Sequence, residues 1–140
     1  MTPDILASKC VIVVDEALPV GLAVNAASLV ALTLGQRFPA LIGPDVKDAS
    51  GTAFWGVCLI PVPVLKAPAA QVAEIHAAAA AIAEISTFGF STLAQGCKTY
   101  DEYIAKMAAT PAATLTYSAL GLLGPKKPMN RLVGNLPLLR

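Results

Sequence analysis

The chain has 140 residues, the size of one domain with a core of its own, and a single domain over residues 1–140 is expected. Apolar residues make up 56% and charged ones 14%, against ordinary values of about 45–50% and about 25%. That excess needs cover, either in a helix buried on both faces or in a homodimer interface. A net charge of +1 argues against a broad nucleic-acid surface.

The opening "MTPDILASKC" carries an acid early and no long apolar run before Asp15, unlike a secretory signal. A cytoplasmic protein is expected. "KCVIVV" (residues 9–14) is a continuous, β-branched apolar run and reads as a strand buried on both faces. The uncharged stretch 17–36 is the best membrane candidate, but its first residues form a turn and it contains Pro19, Gly21, Asn25, Ser28 and Gly35. Too little apolar helix remains for a span of about 20 residues, so no membrane association is expected. Residues 21–37 instead read as a helix, stopped by Gly35 and Pro39, on which Asn25 and Ser28 share one face.

"LIGPDVKDASGTAF" is turn-rich and reads as a surface excursion. The segment 57–67 reads as a second strand, placed at least partly on an edge or in a bulge because its two prolines donate no ladder bond. Proline 68 opens a second helix to about residue 85, with Val72, Ile75, Ala79 and Ile82 as its apolar stripe. "STFGFSTLAQGCK" reads as a weaker third strand that breaks at Gly96. "TYDEYIAKMA" is a short helix with Thr99 as N-cap and acids in its first turn. "ATLTYSALGLLG" is a fourth strand, ended by Gly124-Pro125, and the tail reads as one or two helical turns before an apolar terminal segment. Strands alternating with helices predict an α/β fold, a three-layer α/β/α sandwich on a mixed four-stranded sheet.

Cys10, Cys58 and Cys97 are odd in number and widely spaced, and His76 is the only histidine. Reduced thiols are expected, with no structural zinc and no disulfide framework. There is no phosphate-cradling glycine loop and no ligand cluster, so neither metal nor cofactor is expected. Residues 98–140 carry six Lys/Arg and two Asp/Glu. Lys98, Lys106, Lys126, Lys127, Arg131 and Arg140 form one basic patch or are scattered solvated charges.

"KCVIVVDEALPVGLAVNAASLV", "VLKAPAAQVAEIHAAA" and "GLLGPKKPMNRLVGNLPLL" follow one another in an order and spacing that resemble the peptidyl-tRNA hydrolase type II fold. The resemblance spans most of the chain apart from the excursion and the helix near residues 100–107. It is closer still to an uncharacterised bacterial domain-of-unknown-function family within that superfamily. That family's pattern is similar to Lys9 to Asp15, Leu18-Pro19, Gly21-Leu22-Ala23, Asn25-Ala26-Ala27 and Leu138-Leu139-Arg140.

The resemblance implies where chemistry has changed. Type II hydrolases carry two lysines where this chain has Leu22 and Val24, and the second belongs to the catalytic set. Their following glutamine becomes Ser28, and their Asp-Ala-Gly-Arg-Thr is replaced by "LAQGCKT". There Lys98 and Thr99 stand for the basic residue and threonine, the aspartate falls on Leu93 or Ala94, and a later threonine falls on Thr116 or Tyr117. Ester cleavage needs a positioned water, a proton acceptor and oxyanion stabilisation. With Lys and Asp replaced, the expectation is a non-hydrolytic relative that binds a small polar or anionic ligand in the former cleft, as a homodimer. The alternative is a hydrolase of peptidyl-tRNA or a related acyl ester with a rebuilt site, in which the basic C-terminal part holds RNA.

The expected cleft residues are Asp15, Asn25, Ser28, Lys98, Thr99, Thr116 and Tyr117. Asp15 and Glu16 are solvated turn acids or lie at the strand end where α/β ligands sit. Asn25 and Ser28 bond locally on the helix or orient a ligand. Cys97 is an inert loop thiol or one activated by Lys98. His76 has no partner for a triad, and Trp55, Tyr100 and Tyr103 are read as packing residues rather than stacking platforms.

Overall fold

The computed structural model describes residues 4–140. After a single 3-10 turn at Ile5–Ala7, β1 (Ser8–Asp15) runs with Cys10 to Val14 all buried. Two separate apolar clusters account for this: Val11 and Val13 enter one, Cys10, Ile12 and Val14 the other. The β-branched run is thus a strand covered on both faces, as its lack of alternation implies.

The chain turns at Asp15, whose carboxylate accepts the Ala17 N–H at 2.9 Å, into α1 (Val20–Arg37). Ala23, Ala26, Val30 and Leu34 form the buried row of α1, the helical spacing of a single packed face. The expected excursion follows as a 3-10 turn at Pro39–Leu41 and a hairpin of β2 (Val46–Lys47) and β3 (Ala53–Phe54). Asp48 ties the hairpin by accepting the N–H groups of Ser50 and Thr52, each at 2.9 Å.

The next strand is shorter than expected: β4 covers only Val64–Ala67, because Pro61 and Pro63 offer no N–H to a ladder. α2 (Ala69–Ala80) ends before Ile85, and the chain instead tightens through Ala81 N–H to Ala78 O at 3.3 Å and Ile85 N–H to Ile82 O at 3.1 Å. β5 (Ser86–Ser91) also stops early. The second half of the expected third strand is α3 (Thr92–Gly96), started by Ser91 Oγ, which accepts the Ala94 N–H at 3.0 Å. α4 (Tyr100–Ala108), β6 (Tyr117–Pro125) and α5 (Lys126–Val133) complete the elements.

The main sheet has the order β4-β1-β6-β5, parallel between β1 and β4 and antiparallel elsewhere. It is therefore a mixed four-stranded sheet. α1 covers one face; α2 and α5 cover the other. Gly121 on β6 lets α1 lie directly on the sheet, since a Cβ there would stand 2.6 Å from Val30 Cγ1 and 2.9 Å from Leu34 Cδ1.

The two edges of the sheet differ. Along β4 the terminal segment is hydrogen-bonded: Lys66 N–H donates to Pro137 O at 3.0 Å and Leu139 N–H to Val64 O at 2.8 Å. Among the described residues no backbone bond reaches the outer side of β5. Among the described residues no helix is long and apolar enough to cross a membrane.

Candidate functional site

Polar and aromatic side chains gather in an open groove of about 820 Å³ between α1, β5 and the α3–α4 segment. Phe88 and Phe90 reach it from β5, because alternation sends both to the α1 face of the sheet. Leu29, Leu32, Thr33, Gln36 and Arg37 reach it from α1, and Lys98, Thr99, Tyr100 and Tyr103 from the opposite wall. Asn25 and Arg37, both lining residues, lie about 18 Å apart along α1 at 1.5 Å per residue. The groove is therefore elongated.

Gln95 ties the walls together at one end. Its Nε2 donates to Leu22 O at 2.9 Å and to Asn25 Oδ1 at 3.3 Å. Its Oε1 accepts the hydroxyl of Ser118, a fully buried residue on β6, at 2.7 Å. One amide thus joins α1, α3 and the sheet. In the sequence Gln95 stands in a stretch that reads as a weaker third strand breaking at Gly96, where one polar residue among small ones carries no signal. The available sign was Ser91 three residues before Ala94, an N-cap pattern.

The seven expected cleft residues divide. Asn25, Lys98 and Thr99 line the groove. Thr99 also caps α4: its Oγ1 accepts the Glu102 N–H at 3.1 Å, and Glu102 Oε2 accepts the Lys98 N–H at 3.1 Å. This reciprocal arrangement resembles a capping box and leaves the Thr99 hydroxyl proton free to donate. Ser28 does not line the groove; its hydroxyl donates to Val24 O in its own helix at 2.7 Å. Asp15 holds the turn before α1 and stands outside the groove. Thr116 shares a 2.6 Å hydroxyl contact with Thr92 where α3 leaves the sheet.

Tyr117 lies on the other face. A register shift at Phe90/Ser91 pairs Phe90 with Ala119 and Ser91 with Tyr117, so Ser118 is the extra residue of a bulge. Tyr117 and Ala119 are two apart and would share a face in a regular strand. The bulge separates them: Ala119 joins the α1 side, and the Tyr117 ring stacks on His76 of α2 with centroids 4.3 Å apart. Gly89 makes room for that stack, since a Cβ there would meet Tyr117 Cε1 at 2.5 Å and His76 Cδ2 at 3.0 Å. Burial lowers the His76 pKa below its ordinary value, favouring the neutral ring.

The groove's charge is one-sided. Among the described residues Arg37 and Lys98 line it, no carboxylate does, and neither cation is in an ion pair. The nearby Glu102 is committed elsewhere: its hydrogen bond with Lys106, 2.8 Å long, holds its carboxyl below the usual range and raises the Lys106 pKa. Lys126, Lys127 and Arg131 sit on or beside α5, across the sheet from α1, so the basic residues do not make one patch. Cys97 lines the groove, and its Sγ–H donates to Leu93 O at 3.2 Å. Among the described residues no histidine, aspartate or glutamate lines the groove to serve as a general base. Among the described residues no three His, Cys, Asp or Glu side chains gather in a metal-binding cluster. The arrangement suits holding an anion between cations, amides and hydroxyls against an aromatic wall.

No curated protein sequence matches the chain. A solved structure of a protein of unknown function from Agrobacterium tumefaciens is similar at a TM-score of 0.84 and 14% identity, over 94% of this chain and 97% of that one. At that identity the likeness concerns the fold. The sequence pattern described as "Protein of unknown function (DUF2000)" matches residues 8–140, nearly the whole chain, and the protein belongs to that family.

Proposed function

We propose that this protein is a non-hydrolytic member of the peptidyl-tRNA hydrolase type II-like superfamily, built as a three-layer α/β/α sandwich, and that its groove binds a small, elongated anion with an apolar or aromatic body. The observation that carries this reading is the groove's lining: Arg37 and Lys98 without a carboxylate partner, beside Phe88, Phe90, Tyr100 and Tyr103. Two unneutralised cations over aromatic surface favour a carboxylate, sulfonate or phosphate joined to an apolar group.

Loss of hydrolysis is supported at three positions. Leu22 and Val24, where the hydrolases carry lysines, are 45% and 55% exposed and do not line the groove. Counted back from Thr99 without a gap, the aspartate of Asp-Ala-Gly-Arg-Thr falls on Gln95 rather than on Leu93 or Ala94. An amide there bridges Asn25 and Ser118 but accepts no proton at neutral pH.

The test is fluorescence titration with anilinonaphthalene sulfonate, an anion on an aromatic body, against uncharged phenylnaphthylamine. Saturable binding of the sulfonate, weakened about tenfold or more in Lys98→Ala and Arg37→Ala, is expected; each lost charge-assisted contact is worth about 1.5–3 kcal/mol. Equal affinity for the uncharged dye, or indifference to both substitutions, refutes the anion reading. Single-turnover cleavage of an N-blocked aminoacyl-tRNA that is abolished in Thr99→Ala refutes the non-hydrolytic one.

A further inference from the structure

Hydrogen bonding along the sheet is finished on one side and unfinished on the other. At the β4 edge the backbone is satisfied by Pro137 and Leu139, and Pro61 and Pro63 precede the strand. At the β5 edge the outward N–H and C=O groups have no partner among the described residues. The strand there, "STFGFS", contains no proline, and no charge occurs between Glu84 and Lys98. Lysine, proline or a covering loop ordinarily protects such an edge from pairing with another chain. β5 carries neither lysine nor proline, and no backbone hydrogen bond covers its outer side among the described residues.

We infer that the β5 edge pairs antiparallel with β5 of a second copy, joining two four-stranded sheets into one of eight strands across a twofold axis. Two features single out a second copy as the occupant. An antiparallel strand pair is its own complement under a twofold axis, so the contact closes at two. A twofold axis perpendicular to the sheet keeps both α1 faces on one side, which brings the half-buried Phe88 and Phe90 of the two copies together.

One six-residue strand buries less than the roughly 800 Å² per partner of a standard stable interface. The remainder comes from α1 beside it, where Leu29 and Leu32 are 39% and 69% exposed and line the same groove as the two phenylalanines. The partner's phenylalanines then border the open side of that groove. The inference shares Leu29, Leu32, Phe88 and Phe90 with the ligand groove but requires no bound ligand.

Sedimentation equilibrium tests it on the full chain. Wild type is expected at twice the 14.4 kDa chain mass, and Ser86→Lys/Phe88→Lys at the mass of one chain, with circular dichroism and a cooperative urea transition showing that the variant is folded. Phe88→Lys sets two cations near the axis, while Ser86 is exposed and takes a lysine without repacking. A milder variant, Ser86→Lys alone, is expected to weaken association at least tenfold if the double variant does not fold. Leu138→Lys, on the opposite edge, is expected to leave the dimer intact. A monomeric wild type at 50 µM overturns the inference. So does a dimer that survives both β5 variants or that dissociates with Leu138→Lys.

Discussion

Replacing Gln95 by leucine isolates the energetic weight of the amide that joins α1, α3 and the sheet. The substitution nearly conserves size but removes an acceptor from Ser118 and a donor from Leu22 O and Asn25. Leu22 and Asn25 are exposed and water replaces their bonds. Ser118 is 0% exposed and cannot recruit water without opening the sheet. Its hydroxyl then stays buried and unpaired, a cost of about 1–3 kcal/mol. Ser118→Ala alone leaves the half-buried Gln95 Oε1 able to turn to solvent and should cost about 1 kcal/mol. The double variant removes both partners and should sit near Ser118→Ala, giving a coupling energy of about 1–3 kcal/mol in a double-mutant cycle. With unfolding entropy scaling at about 2 cal/mol/K per residue, Gln95→Leu should lower the Tm by about 3–10 °C. Urea unfolding at pH 7.5 measures this, with m unchanged across the four proteins. Additive single effects, or a Gln95→Leu cost below about 0.5 kcal/mol, would mean that the hydroxyl is not paired as described.

Gly121→Ala is expected to destabilise by about 1–3 kcal/mol in urea, because the new methyl forces α1 away from the sheet at Val30 and Leu34. The lowered His76 pKa predicts that folding stability falls as pH drops below the ordinary value of 6.5 toward the lowered one, since only the unfolded chain takes up that proton readily. Urea midpoints at pH 7.5 and 5 should therefore differ less in His76→Phe than in wild type. Burial first, and the nearby Cys58 second, raise the Cys10 thiol to about 11. An aromatic disulfide reagent should accordingly modify Cys58 and Cys97 in the native protein and Cys10 only on unfolding; equal native rates for all three would contradict this.

The architecture was readable where one local signal agreed with burial. The β-branched run of β1, the apolar row of α1 and the Thr99 cap of α4 each lie close to where the sequence puts them. Boundaries failed where the deciding partner is distant in sequence or the local signal is silent. The alanine-rich end of α2 carries no stop residue, and β5 stops where a serine hydroxyl offers the backbone another acceptor. The groove was harder still. Asn25, Lys98 and Thr99 were legible as polar residues on the right elements, whereas Tyr117 was lost to a bulge that no periodicity announces. Arg37, Phe88 and Phe90 contribute because α1 and β5 are neighbours in space, and neither segment names the other.

The central pairing of the sheet also fixes the order in which the chain can become a protein. β1 is among the first elements and the strand hydrogen-bonded along most of its length is β6, with Val11 facing Leu122. β4 can pair with β1 earlier, but everything up to β6 is synthesised before β1 meets its main partner, so completing the sheet means closing a loop of roughly a hundred residues. Until then one side of the buried run Cys10–Val14 lacks the strand that covers it in the finished fold. The period of risk lies in biogenesis rather than in the finished fold, and a chain with this strand order is one whose yield depends on how long β1 must wait.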